Sequence, residues 1–176
     1  MRKIAAILMA FAIATAFMIG VGAKSAHAQN SFNEIMNSAH GLCLDAVAGD
    51  DGTSGDKVQL WQCNGGAQQL WEAADCDNGQ PATCEIVNSA HGLCLDAVAG
   101  DDGTNGDQVQ LWQCNGGAQQ LWFFAVEIES DPSPFTNTAH NLVLDAVAGG
   151  DGTSGDKVQL WQDNGGAQQL WKWPGL

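Results

Sequence analysis

The sequence predicts an all-β fold built from three copies of one unit that close on each other. The stretch VQLWQCNGGAQQLW fills residues 58–71, recurs letter for letter at 109–122, and returns at 158–171 with Asp163 where Cys63 and Cys114 stood. Within it Val58, Leu60 and Gln62 point one way and Gln59, Trp61 and Cys63 the other, the period of a half-buried strand. The segments between are rich in Gly and Asp, which tolerate positive φ in tight turns, and nothing after residue 28 reads as a long helix.

Each copy then resolves into four short strands. A lead-in strand covers residues 32–37 in the first copy, a second covers 42–45, a third starts at Val58, and a fourth covers 69–71, with turns at 48–53 and 64–66. The unit opening at Asn37 differs from that opening at Asn88 only at Ser54/Asn105 and Lys57/Gln108. The copy from Asn137 departs mainly at Thr138, Asn141, Val143, Gly150 and Asp163. Repeats of this period mean a solenoid, a propeller or a closed assembly. A solenoid this short needs distinct caps and a propeller needs more blades, which leaves three units closing on themselves, at about residues 31–80, 81–130 and 131–176.

Residues 1–28 read as a cleavable signal peptide. Arg2 and Lys3 precede an apolar run, and Ala26-His27-Ala28 supplies the small-x-small cleavage site. The expected location is therefore secreted, extracellular or periplasmic, with one domain over 29–176. The whole chain carries a net charge of −14; after cleavage only Lys57, Lys157 and Lys172 face the 20 acidic side chains, a net of −17. Such a chain repels phosphate backbones and anionic lipid, which excludes nucleic acid and membrane surface as partners.

Each copy carries C-L-D or its V-L-D variant, then V-Q-L-W, then Q-x-W at Gln69-Leu70-Trp71, Gln120-Leu121-Trp122 and Gln169-Leu170-Trp171. This pattern resembles the ricin B-type lectin family, also found as the carbohydrate-binding module of secreted xylan- and galactan-degrading enzymes. The resemblance spans essentially all of 29–176 and implies a β-trefoil that binds galactose- or xylose-type glycans or polysaccharides. It makes Trp71, Trp122 and Trp171 core residues, as large apolar side chains at a shared interior should be.

Trp61, Trp112 and Trp161 alternate with Leu60, Leu111 and Leu160, so they point away from the core. An outward indole serves either as rim packing or as a platform on which the apolar face of a sugar ring stacks; the resemblance assigns the platform. Asp45, Asp96 and Asp145 either cap their turns or accept from sugar hydroxyls, and the resemblance again assigns the ligand. Gln59, Gln110 and Gln159 project beside the indoles. Gln68, Gln119 and Gln168 stand where the family usually has Asn, and Gln69, Gln120 and Gln169 orient the pocket from behind. Gln for Asn, and a 45–59 loop one residue longer than the family's, bear on which sugar fits.

No nucleophile motif, opposed acid pair, phosphate loop or metal-protease motif is present, so no catalysis, cofactor or metal is expected. The turns GDDGTSGD and GDDGTNGD lack the alternating acids and closing Glu of an EF-hand and read as solvated turns. Six cysteines fit an oxidising compartment. The repeat pairs Cys43 with Cys63 and Cys94 with Cys114 and leaves Cys76 with Cys84, while both partners change together in copy three, to Val143 and Asp163. The expected function is a secreted, non-catalytic lectin module with three shallow pockets; the alternative is a β-trefoil protein-interaction or inhibitor scaffold that has lost sugar binding.

Overall fold

A computed structural model describes residues 32–47, 51–77, 83–98, 102–124, 131–147 and 152–174. The expected signal peptide and the acidic turn tips around 48–50, 99–101 and 148–151 lie outside these residues. The first copy supplies β1 (Asn33–Glu34), β2 (Met36–Asn37), β3 (Cys43–Ala46), β4 (Asp56–Trp61) and β5 (Leu70–Ala74). The second supplies β6 (Thr83–Asn88), β7 (Cys94–Ala97), β8 (Val109–Trp112) and β9 (Trp122–Phe123). The third supplies β10 (Thr136–Asn137), β11 (Val143–Ala146), β12 (Val158–Trp161) and β13 (Trp171–Lys172).

Three boundaries differ from the sequence expectation, each for a local reason. The lead-in breaks at Ile35, which is fully buried and whose carbonyl accepts from the Leu44 amide across the turn. Leu42 lies outside β3 because its carbonyl closes the hairpin onto the Asn37 amide. Gln69 ends a 3₁₀ turn, Ala67–Gln69, held by its amide on the Gly66 carbonyl, so the last strand begins after it.

The copies close into a ring through equivalent strand pairs. The last strand of each copy lies antiparallel to the asparagine-bearing lead-in strand of the next, with Trp71 opposite Asn88, Trp122 opposite Asn137, and Trp171 opposite Asn37. A side-chain bond repeats beside each pair. Asn88 Nδ2 donates to the Gln68 carbonyl at 3.0 Å, Asn137 to Gln119 at 2.9 Å and Asn37 to Gln168 at 2.9 Å. These asparagines are fully buried, where an unmade amide bond would carry the full desolvation cost. The turns interlock in the same sense: a Cβ on Gly52, Gly103 or Gly152 would fall 2.8, 3.1 or 3.0 Å from Nδ1 of His91, His140 or His40 of the next copy. Each of these glycines also has positive φ, so two requirements coincide there.

Inside the ring, Leu44, Leu60, Leu95, Leu111, Leu144, Leu160 and the three Q-x-W tryptophans are essentially inaccessible. The indole N–H groups of Trp71, Trp122 and Trp171 donate to the carbonyls of Leu44, Leu95 and Leu144 at 3.0, 2.8 and 2.9 Å. A large ring is thereby buried without an orphaned donor.

Disulfides join Cys43–Cys63, Cys94–Cys114 and Cys76–Cys84, as the repeat indicated. Near the first two, a lead-in glutamate accepts from a loop amide: Glu34 Oε1 from Gly65 at 2.7 Å and Glu85 Oε1 from Gly116 at 2.8 Å. Copy three has Pro134 at the glutamate position, and there Asp163 Oδ1 accepts from Gly165 at 3.0 Å. The residue that replaced the cysteine thus supplies the missing acceptor.

Copy three also gains an aromatic cluster. Phe135, at the Ile35 position, meets Phe124 and Trp173 with centroids 5.1 and 5.9 Å away. That cluster ties the lead-in to the C-terminal strand and leaves the β11–β12 hairpin without a link. A crosslink over a loop of this length contributes on the order of 3 kcal/mol. Hydrogen exchange should therefore find the Leu144 and Leu160 amides less protected than those of Leu44 and Leu60; equal protection would contradict this.

Candidate functional site

Each site is built on one hairpin. In β3–β4, Leu44 and Ala46 pair with Leu60 and Val58 and face the core, so Cys43, Asp45, Gln59 and Trp61 share the outer face. Asp45 lies opposite Gln59, and Trp61 opposite Cys43, which makes Asp45 and Trp61 diagonal neighbours at about 7–8 Å, within reach of long side chains. Copies two and three repeat this register with Asp96, Gln110 and Trp112, and with Asp145, Gln159 and Trp161. Trp61 and Trp112 are each 40% exposed, the large apolar residues most open to solvent among those described, while Trp161 is half-buried.

Among the described residues, the partners of the aspartates are glutamine side chains. Each is 2% exposed and is gripped by glutamine amides. Asp45 Oδ1 accepts from Gln59 Nε2 at 3.0 Å and Oδ2 from Gln69 Nε2 at 2.9 Å. Asp96 repeats both contacts with Gln110 and Gln120 at 2.9 and 3.0 Å, and Asp145 accepts from Gln159 at 3.2 Å. Two amide donors leave further lone pairs on each carboxylate for outside donors. Burial pushes the Asp96 and Asp145 carboxyls above the ordinary 3.8; the bonds from Gln110 and Gln120, and from Gln159, Gln169 and Gln168, offset part of that by favouring the charged form.

Gln69, Gln120 and Gln169 are fully buried. Gln69 Nε2 also donates to the Gln62 carbonyl at 3.0 Å, and its Oε1 accepts from the Asn64 amide at 2.8 Å. Gln69 and Gln120 therefore fix the carboxylate from behind, and all three glutamines fix the following loop. Gln68 is folded back: its Nε2 faces Asn64 Oδ1 at 3.4 Å, and a Cβ on Gly66 would overlap its Oε1. In copy three Gln168 Nε2 likewise faces Asn164 Oδ1, at 3.2 Å.

The sequence reading missed Asn37, Asn88 and Asn137, whose amides anchor the carbonyls of Gln168, Gln68 and Gln119. Their recurrence at the head of all three copies was the available signal. It also gave no role to Glu34 and Glu85, which lie in the lead-ins three residues before Asn37 and Asn88. Among the described residues, the metal-like clusters are Glu34 with Cys43 and Cys63, and Glu85 with Cys94 and Cys114; their sulfurs are tied in disulfides and offer no thiolate.

A family model described as the ricin-type beta-trefoil lectin domain matches residues 31–171. No curated protein sequence matches the chain. Among solved structures, an exo-β-1,3-galactanase from Clostridium thermocellum aligns with a TM-score of 0.71 and 26% identity, covering 82% of this chain and 30% of that one. The designed 3-fold symmetric protein ThreeFoil aligns at 0.70 and 22%, covering 82% and 99%. A Macrolepiota procera ricin B-like lectin, solved in complex with lactose, aligns at 0.63 and 20%, covering 81% and 94%. The chain thus spans under a third of the galactanase and nearly all of the two small proteins. Together with the strand pairing, these likenesses make the fold a β-trefoil.

The two neighbouring glutamines should behave oppositely on substitution. Gln69→Leu strands a buried carboxylate oxygen, a carbonyl and an amide, and should cost about 3 kcal/mol in urea unfolding. Gln68→Ala removes one long contact and should cost under about 1 kcal/mol. Equal losses would refute the positioning role.

Proposed function

Since the chain belongs to the ricin-type β-trefoil lectin domain family, we propose that it is a secreted, non-catalytic carbohydrate-binding module with one shallow cup on each copy. In each cup a sugar stacks on the indole of Trp61, Trp112 or Trp161 while its hydroxyls donate to Asp45, Asp96 or Asp145. Gln59, Gln110 and Gln159 line the cup, and Gln68, Gln119 and Gln168 stand at its far edge. The observation that carries this reading is the pair of indoles 40% exposed on the face that also holds a gripped, nearly buried carboxylate. Large apolar groups left open beside a fixed charge suit an amphipathic ligand better than they suit water. Galactose- or xylose-type glycans are the proposed ligands, and several cups on one polysaccharide raise avidity without new contacts. The three disulfides support export through an oxidising compartment.

One observation favours the alternative of a protein-interaction scaffold: in all three copies the glutamine at the family's asparagine position spends its amide on Asn64, Asn115 or Asn164. A glycan array separates the two. The lectin reading expects retention of galactose- or xylose-bearing glycans, weakened about tenfold or more when Trp61, Trp112 and Trp161 are all changed to Ala. Retention that survives the triple change would remove the cups assigned here, and no retention of any glycan would favour the scaffold.

Acid should affect binding before it affects folding. With folded-state pKa values raised by burial, Asp96 and Asp145 protonate as pH falls through a range above 3.8, losing acceptor strength. The same protonation relieves the burial penalty, so these two groups favour the fold as pH drops. Glycan retention is expected to decline above the pH at which circular dichroism reports unfolding; coincident losses would contradict this.

A further inference from the structure

We infer that each cup is completed by the preceding copy, and that Asn105, on the turn of copy two, sets the specificity of the cup in copy three. This rests on the lectin reading above. The turn of copy three reaches copy one, that of copy one reaches copy two, and that of copy two reaches copy three. The amide beyond each platform indole donates into that turn: Gln62 to Ser154 Oγ at 2.9 Å, Gln113 to Ser54 Oγ at 2.9 Å, and Gln162 to Asn105 Oδ1 at 2.6 Å. Next to each of these residues is a glycine facing the ring. A Cβ on Gly155, Gly55 or Gly106 would lie 4.0, 4.0 or 3.9 Å from Cζ3 of Trp61, Trp112 or Trp161. The rim of every cup therefore belongs to a neighbour.

Two of the three rims carry serine and one carries asparagine, and the cup with asparagine is the one that looks different. Trp161 is half-buried where its counterparts are 40% exposed, and Gln159 is 7% exposed where Gln59 and Gln110 are only partly buried. At Gly106 the approach includes Gln159 Oε1 at 3.9 Å as well as the ring, whereas Gly55 and Gly155 meet the ring alone. Asparagine is longer than serine, and with Oδ1 engaged by the Gln162 amide its Nδ2 still offers two N–H donors. The third cup is tighter and has an additional amide at its edge. It should discriminate against ligands that cannot accept from that amide, by about three- to tenfold, the range of one hydrogen bond. Ser54/Asn105 is one of the two differences between copies one and two, and each residue acts on the copy after its own, Ser54 on copy two and Asn105 on copy three.

The test uses the full chain with ¹⁵N-labelled tryptophan, following each indole N–H during titration with galactose and with xylose. In the parent protein Trp61 and Trp112 should report matching affinities and Trp161 one that differs by about threefold or more. Asn105→Ser should bring Trp161 into line with the other two. Ser54→Asn should shift the affinity at Trp112, in the next copy, and leave Trp61, in its own copy, unchanged. An effect of Ser54→Asn on Trp61, or none on Trp112 while sugar still binds, would overturn the assignment. A sugar-free readout keeps it apart from the lectin reading: N-bromosuccinimide should oxidise Trp161 more slowly than Trp61 and Trp112, and Asn105→Ser should erase the difference. If that difference is erased and no indole responds to sugar, the rim assignment stands and the lectin reading fails. If Trp161 is oxidised as fast as the others, the rim assignment fails regardless of what binds.

Discussion

Two residues, two positions apart in the chain, grip a dipeptide from opposite sides. Trp71, inside the barrel, takes the Leu44 carbonyl with its indole N–H, and Gln69, at the interior's edge, takes the Asp45 carboxylate with its amide. Leu44 belongs to the core and Asp45 to the outer face, so this clamp converts core packing into a fixed position for a charged group. Copy two repeats it with Trp122 and Gln120; in copy three Trp171 keeps its bond to the Leu144 carbonyl and Gln159 holds Asp145. The clamp explains why glutamine and tryptophan hold a constant spacing: moving Trp71 by one residue would flip its side chain to the other face of its strand, and moving Gln69 would take it off the closing position of its 3₁₀ turn.

Ring closure makes the clamp dependable. No copy could bury its Q-x-W tryptophan alone, because the strand that carries it completes its pairing on the asparagine strand of the following copy. The buried asparagine amide then holds the carbonyl of the glutamine next to the clamp. Positional information thus passes around the molecule in one direction along the backbone, and the turns repeat that direction on the outside, with the glycines against the histidines and the serines against the loops beyond the platforms. Stability and site geometry draw on the same contacts, a coupling expected when function sits on rigid elements.

Much of this was legible in the letters. Period-two alternation placed Trp61 outward and Leu60 inward, and the burial alternation along β4 agrees. Triplicate recurrence identified the closed ring, and the joint loss of two cysteines identified their pairing. Strand ends were less legible, since a glutamine followed by leucine and tryptophan reads as strand until its amide is seen closing a 3₁₀ turn. Contacts between copies were invisible for a different reason: periodicity describes what one segment buries, whereas Asn88 to Gln68 or Ser54 to Gln113 depends on which copy follows which in space. Glu34 and Glu85 were overlooked because they sit in the lead-ins, just ahead of the residues that the three copies share.

The exchange of acceptors at Gly65, Gly116 and Gly165 ties together three positions far apart in the chain. In copy three, valine, aspartate and proline replace cysteine, cysteine and glutamate, and the aspartate is tolerated because it serves the amide that proline cannot. Asp163→Cys alone would leave the exposed Gly165 amide to water and create an unpaired thiol; Pro134→Glu alone would crowd two carboxylates onto one N–H. The three sites form an epistatic block, crossable only along particular mutational orders, and a designer seeking perfect threefold symmetry would have to change them together.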